Sequence, residues 1–335
     1  MNASSLLRKI GRSGLESSAL GLGCMGMSDL YAHSAARDDT ESIATIQAAI
    51  DAGITFLDTG DFYGCGHNEM LIARALAGGE RRQQVCLSVK FGVLRTPQGG
   101  VSGIDGRPGA VKNFAAYSLR RLGVDVIDLY QPARLDPAVP LEDTIGAIAE
   151  LIKEGKVRYL GVSELNSEQL RRAHRVHPVS AIEIEYSLAT RFIEQDIMPT
   201  ARELGIGIVA YGALSRGLLS GTLDGKFAPN DFRAHQPRFQ GGNFARNMEK
   251  VEALKAIAGR LGVTPAQIAV AWVMSRGDDI VTLIGTSKRS RLAENLRAVD
   301  LRLDAAALSE LEQVFAPGAM AGERYDAQGM RLVPR

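Results

Sequence analysis

Eight short apolar runs recur along this chain with amphipathic stretches between them, and that alternation leaves few folds open. The runs cover residues 19–23, 55–58, 85–90, 126–130, 159–163, 181–185, 207–211 and 280–284. Polar residues rarely interrupt them, as expected of parallel strands covered on both faces. Helix-like stretches such as 39–52, 141–154 and 247–261 lie between the runs. Strands alternating with helices make βαβ units, and eight such units close into a (β/α)8 TIM barrel, an α/β fold. A length of 335 residues would equally suit two average domains. No linker rich in Pro, Ser or charge divides the chain, so residues 1–335 read as a single barrel domain.

Three additions decorate the repeat. Residues 6–10 and 15–19 flank Gly11-Arg12-Ser13-Gly14, the pattern of an N-terminal β-hairpin cap across the barrel bottom. The aperiodic segments 91–107 and 212–244 follow strands, which places both over the C-terminal mouth where barrel enzymes bind substrate. Residues 304–315 read as an extra C-terminal helix with Asp304 as N-cap. Gly21-Leu22-Gly23-Cys24-Met25-Gly26 satisfies a dinucleotide-binding glycine pattern. That motif needs a helix immediately after it and an acid about 20 residues on. Here no apolar face follows and position 46 is Ile, so the glycines read as the first barrel strand turning out at its end.

Bulk composition narrows the partners. The chain is 45% hydrophobic and 23% charged with net charge +1, which gives no electrostatic case for nucleic acid or an anionic membrane. No apolar stretch reaches membrane-spanning length, and residues 1–9 lack the apolar core of a signal peptide. Cys24, Cys65 and Cys86 form no CxxC and suit a reducing cytoplasm, and Cys24 and Cys65 each read first as a small buried hydrophobe. No His, Cys and Asp cluster has metal-ligand spacing. The final Leu-Val-Pro-Arg is similar to half of a protease-cleavage tag, so no function is assigned to it.

Several strand ends carry chemistry. Asp58 ends the second run, Tyr63 follows it, and Lys90 ends the third. Residues at strand C-termini of a barrel converge on one mouth, where they read as catalytic. A free phenol titrates near pH 10, and a neighbouring ammonium favours its phenolate, so Lys90 is expected to bring Tyr63 down towards neutral pH. Asp58 would hold Lys90 charged and aimed. Each residue alone has a plainer reading: a loop aromatic, a solvated terminus, a helix cap. Their joint placement on consecutive strand ends favours a proton-donating site.

Phe56-Leu57-Asp58-Thr59-Gly60-Asp61-Phe62-Tyr63-Gly64 with Gly66-His67-Asn68-Glu69, then Ser118-Leu119-Arg120-Arg121-Leu122-Gly123-Val124-Asp125, then Glu185-Tyr186-Ser187-Leu188, resemble the aldo-keto reductase superfamily. Ala210-Tyr211, Leu214 and Arg216-Gly217, and Ile284-Gly285-Thr286 with Arg291 and Glu294-Asn295, extend it over essentially the whole chain. The resemblance implies NADPH-dependent reduction of a small-molecule carbonyl compound, with Tyr63 as proton donor and Lys90 and Asp58 as its tuning pair. It implies that Ser163 contacts the nicotinamide carboxamide and Tyr211 stacks on the ring. Thr286, Lys288 and Arg291 would hold the adenosine 2′-phosphate, with Glu294 and Asn295 near the adenine. The cofactor-binding set further includes Gly23, Met25, Gly212, Leu214, Arg216, Gly217 and Gly285.

Two departures stand out. The family's usual His is Ala133 here, within Tyr-Gln-Pro-Ala-Arg, a segment similar to one found in a branch that includes pyridoxal reductases. Loss of that donor is worth a few kcal/mol in comparable oxyanion sites, and Arg134 or a water is the expected replacement. Glu164 and Glu183 stand at nicotinamide-facing positions usually filled by amides, and an ionised carboxylate accepts but cannot donate. An alternative reading, similar to the potassium-channel β subunits, is an NADPH-binding redox sensor with little turnover. Phe227, Phe232, Phe239 and Phe244 in the second long loop either favour an aromatic guest or anchor the loop.

Overall fold

The computed structural model describes residues 7–31 and 37–334; Leu6 of the expected hairpin, Ala32 and the terminal Arg335 lie outside them. The chain opens with β1 (Leu7–Ile10) and β2 (Leu15–Ser18), an antiparallel hairpin. Next come β3 (Leu20–Gly23), β4 (Phe56–Gly60) and β5 (Cys86–Phe91). A small antiparallel ribbon, β6 (Val93–Arg95) and β7 (Val101–Ile104), precedes β8 (Ile127–Pro132) and β9 (Val157–Ser163). The last strands are β10 (Ala181–Glu185), β11 (Gly207–Tyr211) and β12 (Ile280–Gly285). Strands β3, β4, β5 and β8 to β12 close a parallel barrel, the (β/α)8 fold expected from the sequence.

Two loop expectations need correction. Residues 91–107 are not irregular throughout: the β6–β7 ribbon forms around a turn at Gly99, whose φ of 83° suits glycine. The second long segment is a chain of short 3-10 turns, and the helix after it begins at Gly241 rather than 247. The extra helix spans Ala305–Val314, and the Asp304 side chain accepts from the Ala307 N–H at 2.8 Å.

The lumen is layered. Alternate residues of each strand face inwards, so the period of two sorts each strand into a helix-facing and a lumen-facing set. Phe56, Cys86, Leu129, Ala181, Val209, Val281 and Leu283 fill the lower lumen, and Ile10 and Leu15 of the hairpin seal it from below. Two to four residues further along β4, β5, β8 and β10 the lumen turns polar, with Asp58, Lys90, Gln131 and Glu183 buried, as is Ser163 at the end of β9. The hairpin is tied to the barrel bottom by Arg8, which donates to the carbonyls of Met274 and Gly277 at 2.9 and 3.0 Å and to Ile280 O.

Gly21 belongs to this packing rather than to a nucleotide loop. A Cβ there would sit 2.6 Å from Leu283 Cδ2 and 3.2 Å from the Phe56 ring. Its strand is followed by a 3-10 turn at Met25–Met27, not by a long helix. Beyond the extra helix, residues 316–334 return across the mouth. Among the described residues, no single helix is long and apolar enough to cross a membrane.

Asp61 follows β4, its N–H donating to Lys90 O at 2.9 Å while its carboxyl is buried without a partner for Oδ1. Burial, with Glu69 nearby, pushes this carboxyl up to about 8. A raised carboxyl pKa means that the folded state holds the proton more tightly. Its stability contribution is therefore complete below about pH 4 and is lost as pH rises through about 8. The melting temperature should fall between about pH 5 and pH 9 in the wild type. Asp61→Asn should remove the part of that slope due to this carboxyl, on the order of 4 kcal/mol between about pH 5 and pH 8. An unchanged slope would contradict this assignment.

Candidate active site

Lys90 is the centre of the upper lumen. It ends β5, and its Nζ lies 2.6 and 2.5 Å from the Asp58 oxygens and 2.9 and 3.2 Å from those of Glu183. Gln131 Nε2 donates to Glu183 Oε2 at 2.6 Å and to Ser88 Oγ at 3.0 Å, and Ser88 in turn donates to Asp58 at 3.2 Å. One ammonium thus stands between two carboxylates inside a closed polar network. Both oxygens of Glu183, expected at a nicotinamide-facing position, are engaged by Lys90 and Gln131, which ties this residue to the lysine group.

Tyr63 opens the 3-10 turn Tyr63–Gly66 that joins β4 to the helix His67–Leu76. Its ring centroid lies 5.5 Å from Lys90 Nζ, Phe62 packs against its edge, and only 6% of the residue is exposed. Gly66, with φ 92°, lets the turn pass Arg121, whose Nη1 would lie 2.4 Å from a Cβ. The expected lowering of the phenol pKa is overturned. Burial raises it above its ordinary value, Lys90 opposes that, and the charges of Asp58 and Glu183 reinforce it. Burial is the largest of these causes, and the pull of Lys90 does not overcome it. Burial and Glu183 likewise push Asp58 well up against the pull of Lys90, while the two acids hold Lys90 charged despite burial.

A second charged group lies at the rim. Glu164, which follows Ser163 of β9, accepts from Arg324 at 3.0 and 2.7 Å, from the Tyr211 hydroxyl at 2.7 Å and from the Glu185 N–H at 3.0 Å. Tyr325 places its hydroxyl 2.8 Å from that of Tyr211. Its ring lies within 4.8, 5.4 and 5.7 Å of Arg216, Arg324 and Arg134 respectively. Burial disfavours the Glu185 carboxylate, yet Arg216, Arg324 and Arg238 outweigh it and hold the group at about 2. Arg134 donates to Ala133 O at 2.6 Å and to the Tyr325 hydroxyl at 3.2 Å. The structure therefore brings Arg134 to the Tyr211–Tyr325 group rather than to the Lys90 network.

The remaining residues line a groove along the rim. Gly23 and Gly285 are cross-strand partners with nothing nearer than 3.8 Å to where their Cβ atoms would stand. Met25 starts the turn after β3, while Gly212, Leu214, Arg216 and Gly217 form the turn after β11. Thr286 accepts from the Lys288 N–H at 3.1 Å ahead of the helix Arg289–Leu296. Lys288 and Arg291 are exposed, without ion-pair partners among the described residues, whereas Arg289 is paired with Glu41 at 2.8 Å. Glu294 is half-buried and Asn295 buried on the same helix. Ser163 Oγ is buried with no hydrogen-bond partner.

Sequence reasoning missed Arg324 and Tyr325, although a buried carboxylate at position 164 required a cation from somewhere. It also took Cys65 for a buried residue; Cys65 is exposed, in a left-handed turn with φ 55°. Cys24 is buried as expected, and burial raises its thiol pKa. A cavity of about 670 Å³ opens behind the returning tail beside Phe192 and Met330, away from Tyr63 and Lys90.

A parallel barrel with these strand-end residues defines an oxidoreductase of carbonyl compounds. Residues 19–316 match the aldo/keto reductase family, and the chain belongs to it. It superposes on a glycerol dehydrogenase from Gluconobacter oxydans with a TM-score of 0.83, at 29% identity, over 94% of this chain and 96% of that one. It also superposes on a thermostable aldo-keto reductase in complex with the inhibitor epalrestat, with a TM-score of 0.72, 26% identity and coverage of 92% and 99%.

Glu183→Gln removes one of the two negative charges that hold the Tyr63 proton. The alkaline limb of the pH profile for carbonyl reduction should move to lower pH, by roughly one unit. A limb that stays in place or moves upwards would contradict this geometry.

Proposed function

We propose that this chain is an NADPH-dependent reductase of small aldehydes and ketones, working in the cytoplasm as a single barrel domain. Aromatic aldehydes of the pyridoxal type are the proposed substrates. The observation that carries this reading is Tyr63, a buried protonated phenol beside Lys90 at the mouth of an aldo/keto reductase barrel.

The residues present suit the cofactor. Ser163 offers an unpartnered buried hydroxyl, which fits a carboxamide. The bare Gly23–Gly285 strip leaves room along the rim. Lys288 and Arg291 offer unpaired cations at a helix start, a favourable place for a phosphate. Tyr211 would form the platform for the ring and Arg216 would face the charged linker. When bound, the cofactor supplies the hydride.

The side chains do the rest. Tyr63 donates its proton to the carbonyl oxygen, which becomes a more basic alkoxide, so a raised phenol pKa still leaves the transfer favourable. Lys90 stabilises the phenolate left behind, and Asp58 and Glu183 keep Lys90 charged and in place. In the opposite direction the same phenol would have to be deprotonated first. Alcohol oxidation should therefore need alkaline conditions more than carbonyl reduction does.

Tyr63→Phe should reduce turnover of an aldehyde panel by about 10²- to 10⁴-fold while leaving NADPH binding near the wild-type level. Wild-type turnover by this variant would remove Tyr63 from the mechanism. Neutralising Lys288 and Arg291 together should raise the NADPH KM by roughly tenfold or more and leave that for NADH nearly unchanged. An equal effect on both cofactors would dismiss the 2′-phosphate assignment.

A further inference from the structure

We propose that the segment beyond the family domain supplies two positioning residues, Arg324 and Tyr325, which hold the Tyr211 platform in the orientation that binds the nicotinamide cofactor. This rests on the functional reading above and adds residues that the family match, ending at 316, does not include.

Tyr211 ends β11, and its hydroxyl has two tethers. One is Glu164 at 2.7 Å and the other is the Tyr325 hydroxyl at 2.8 Å. Both lead to the tail, because Glu164 is itself held by the two bonds from Arg324. Arg324 is only 3% exposed, reaches Glu185 at 3.6 Å, lies 4.4 Å from the Phe192 ring centroid and donates to Pro334 O at 2.8 Å. A cation so enclosed is part of the floor rather than a loose plug, since withdrawing it would strand a fully buried carboxylate. It also answers how Glu164 occupies a place where a neutral amide is usual: the charge is cancelled by a guanidinium on a segment 160 residues away in sequence.

The backbone supports the same assignment. Glu164 has φ 54°, and Ser215 and Arg216 in the facing turn have φ 45° and 56°. Non-glycine residues pay for such conformations unless their surroundings hold them there. Glu164 is held by Arg324, and Arg216 lies over the Tyr325 ring. The tail thus fastens both sides of the Tyr211 turn.

The test measures NADPH binding to the full chain by calorimetric titration, with melting temperatures recorded alongside. Tyr325→Phe keeps the ring packing and the Arg324–Glu164 pair and removes one tether. It should weaken NADPH binding by about three- to tenfold. Arg324→Gln leaves Glu164 unpaired and should weaken binding by tenfold or more. Glu164→Gln combined with Arg324→Gln removes both charges while keeping an acceptor for Tyr211, and should return binding to within about threefold of wild type. Turnover at saturating NADPH should change less than affinity in every variant that folds. Should Arg324→Gln fail to fold, Tyr325→Phe and the double variant decide. Binding unchanged or tighter in Tyr325→Phe, or no recovery in the double variant, would overturn the proposal. A wild-type protein that binds no NADPH would remove the functional reading as well, whereas normal wild-type binding with indifferent variants removes this inference alone.

Discussion

An ammonium held between two carboxylates inside the barrel is the interaction on which the rest of this site depends. Lys90 reaches across the lumen from β5 to Glu183 on β10 while also holding Asp58 on the neighbouring β4. No water is needed to satisfy the three charges, because Ser88 and Gln131 complete the network. With two acids on one base, the group leans towards negative charge. Burial raises the phenol of Tyr63, and these acids reinforce that shift against the pull of Lys90. A site of this kind is set up to give a proton to an oxygen that is becoming an alkoxide.

Much of the barrel was legible because its physics is local. A parallel strand covered on both faces needs an unbroken apolar run, and all eight barrel strands occur where such runs stand. Asp58 and Lys90 were legible for the same reason, as polar residues ending apolar strands. Contacts that cross the lumen were not legible. Nothing in the residues around Glu183 says that a lysine on a strand three places away around the barrel would take both its oxygens. The wrong sign expected for the Tyr63 shift follows from that gap: one ammonium beside a phenol lowers its pKa, but one ammonium shared by two acids in a buried place does not. The β6–β7 ribbon escaped because strands of three and four residues carry too few alternations to register.

The rim shows how a second charged layer is built from distant parts. Two carboxylates, Glu164 and Glu185, meet guanidiniums from the β11 turn, from Arg238 and from the returning tail. The left-handed residues Glu164, Ser215 and Arg216 stand at this rim, and none of them is a glycine. Ala133 is buried just beyond β8, and Arg134 beside it donates to the Tyr325 hydroxyl. On the proposed function, lumen and rim divide the labour: proton control would sit at Lys90, and the cofactor surface would be shaped at Tyr211 and the residues around it.

Carbon-13 NMR of protein labelled at the tyrosine ring, titrated with alkali and assigned with the Tyr63→Phe variant, reads the phenol directly. Tyr63 should remain protonated beyond about pH 10, where an ordinary tyrosine has begun to ionise. A Tyr63 resonance that ionises near neutral pH would contradict the control of this phenol by an ammonium already claimed by two acids.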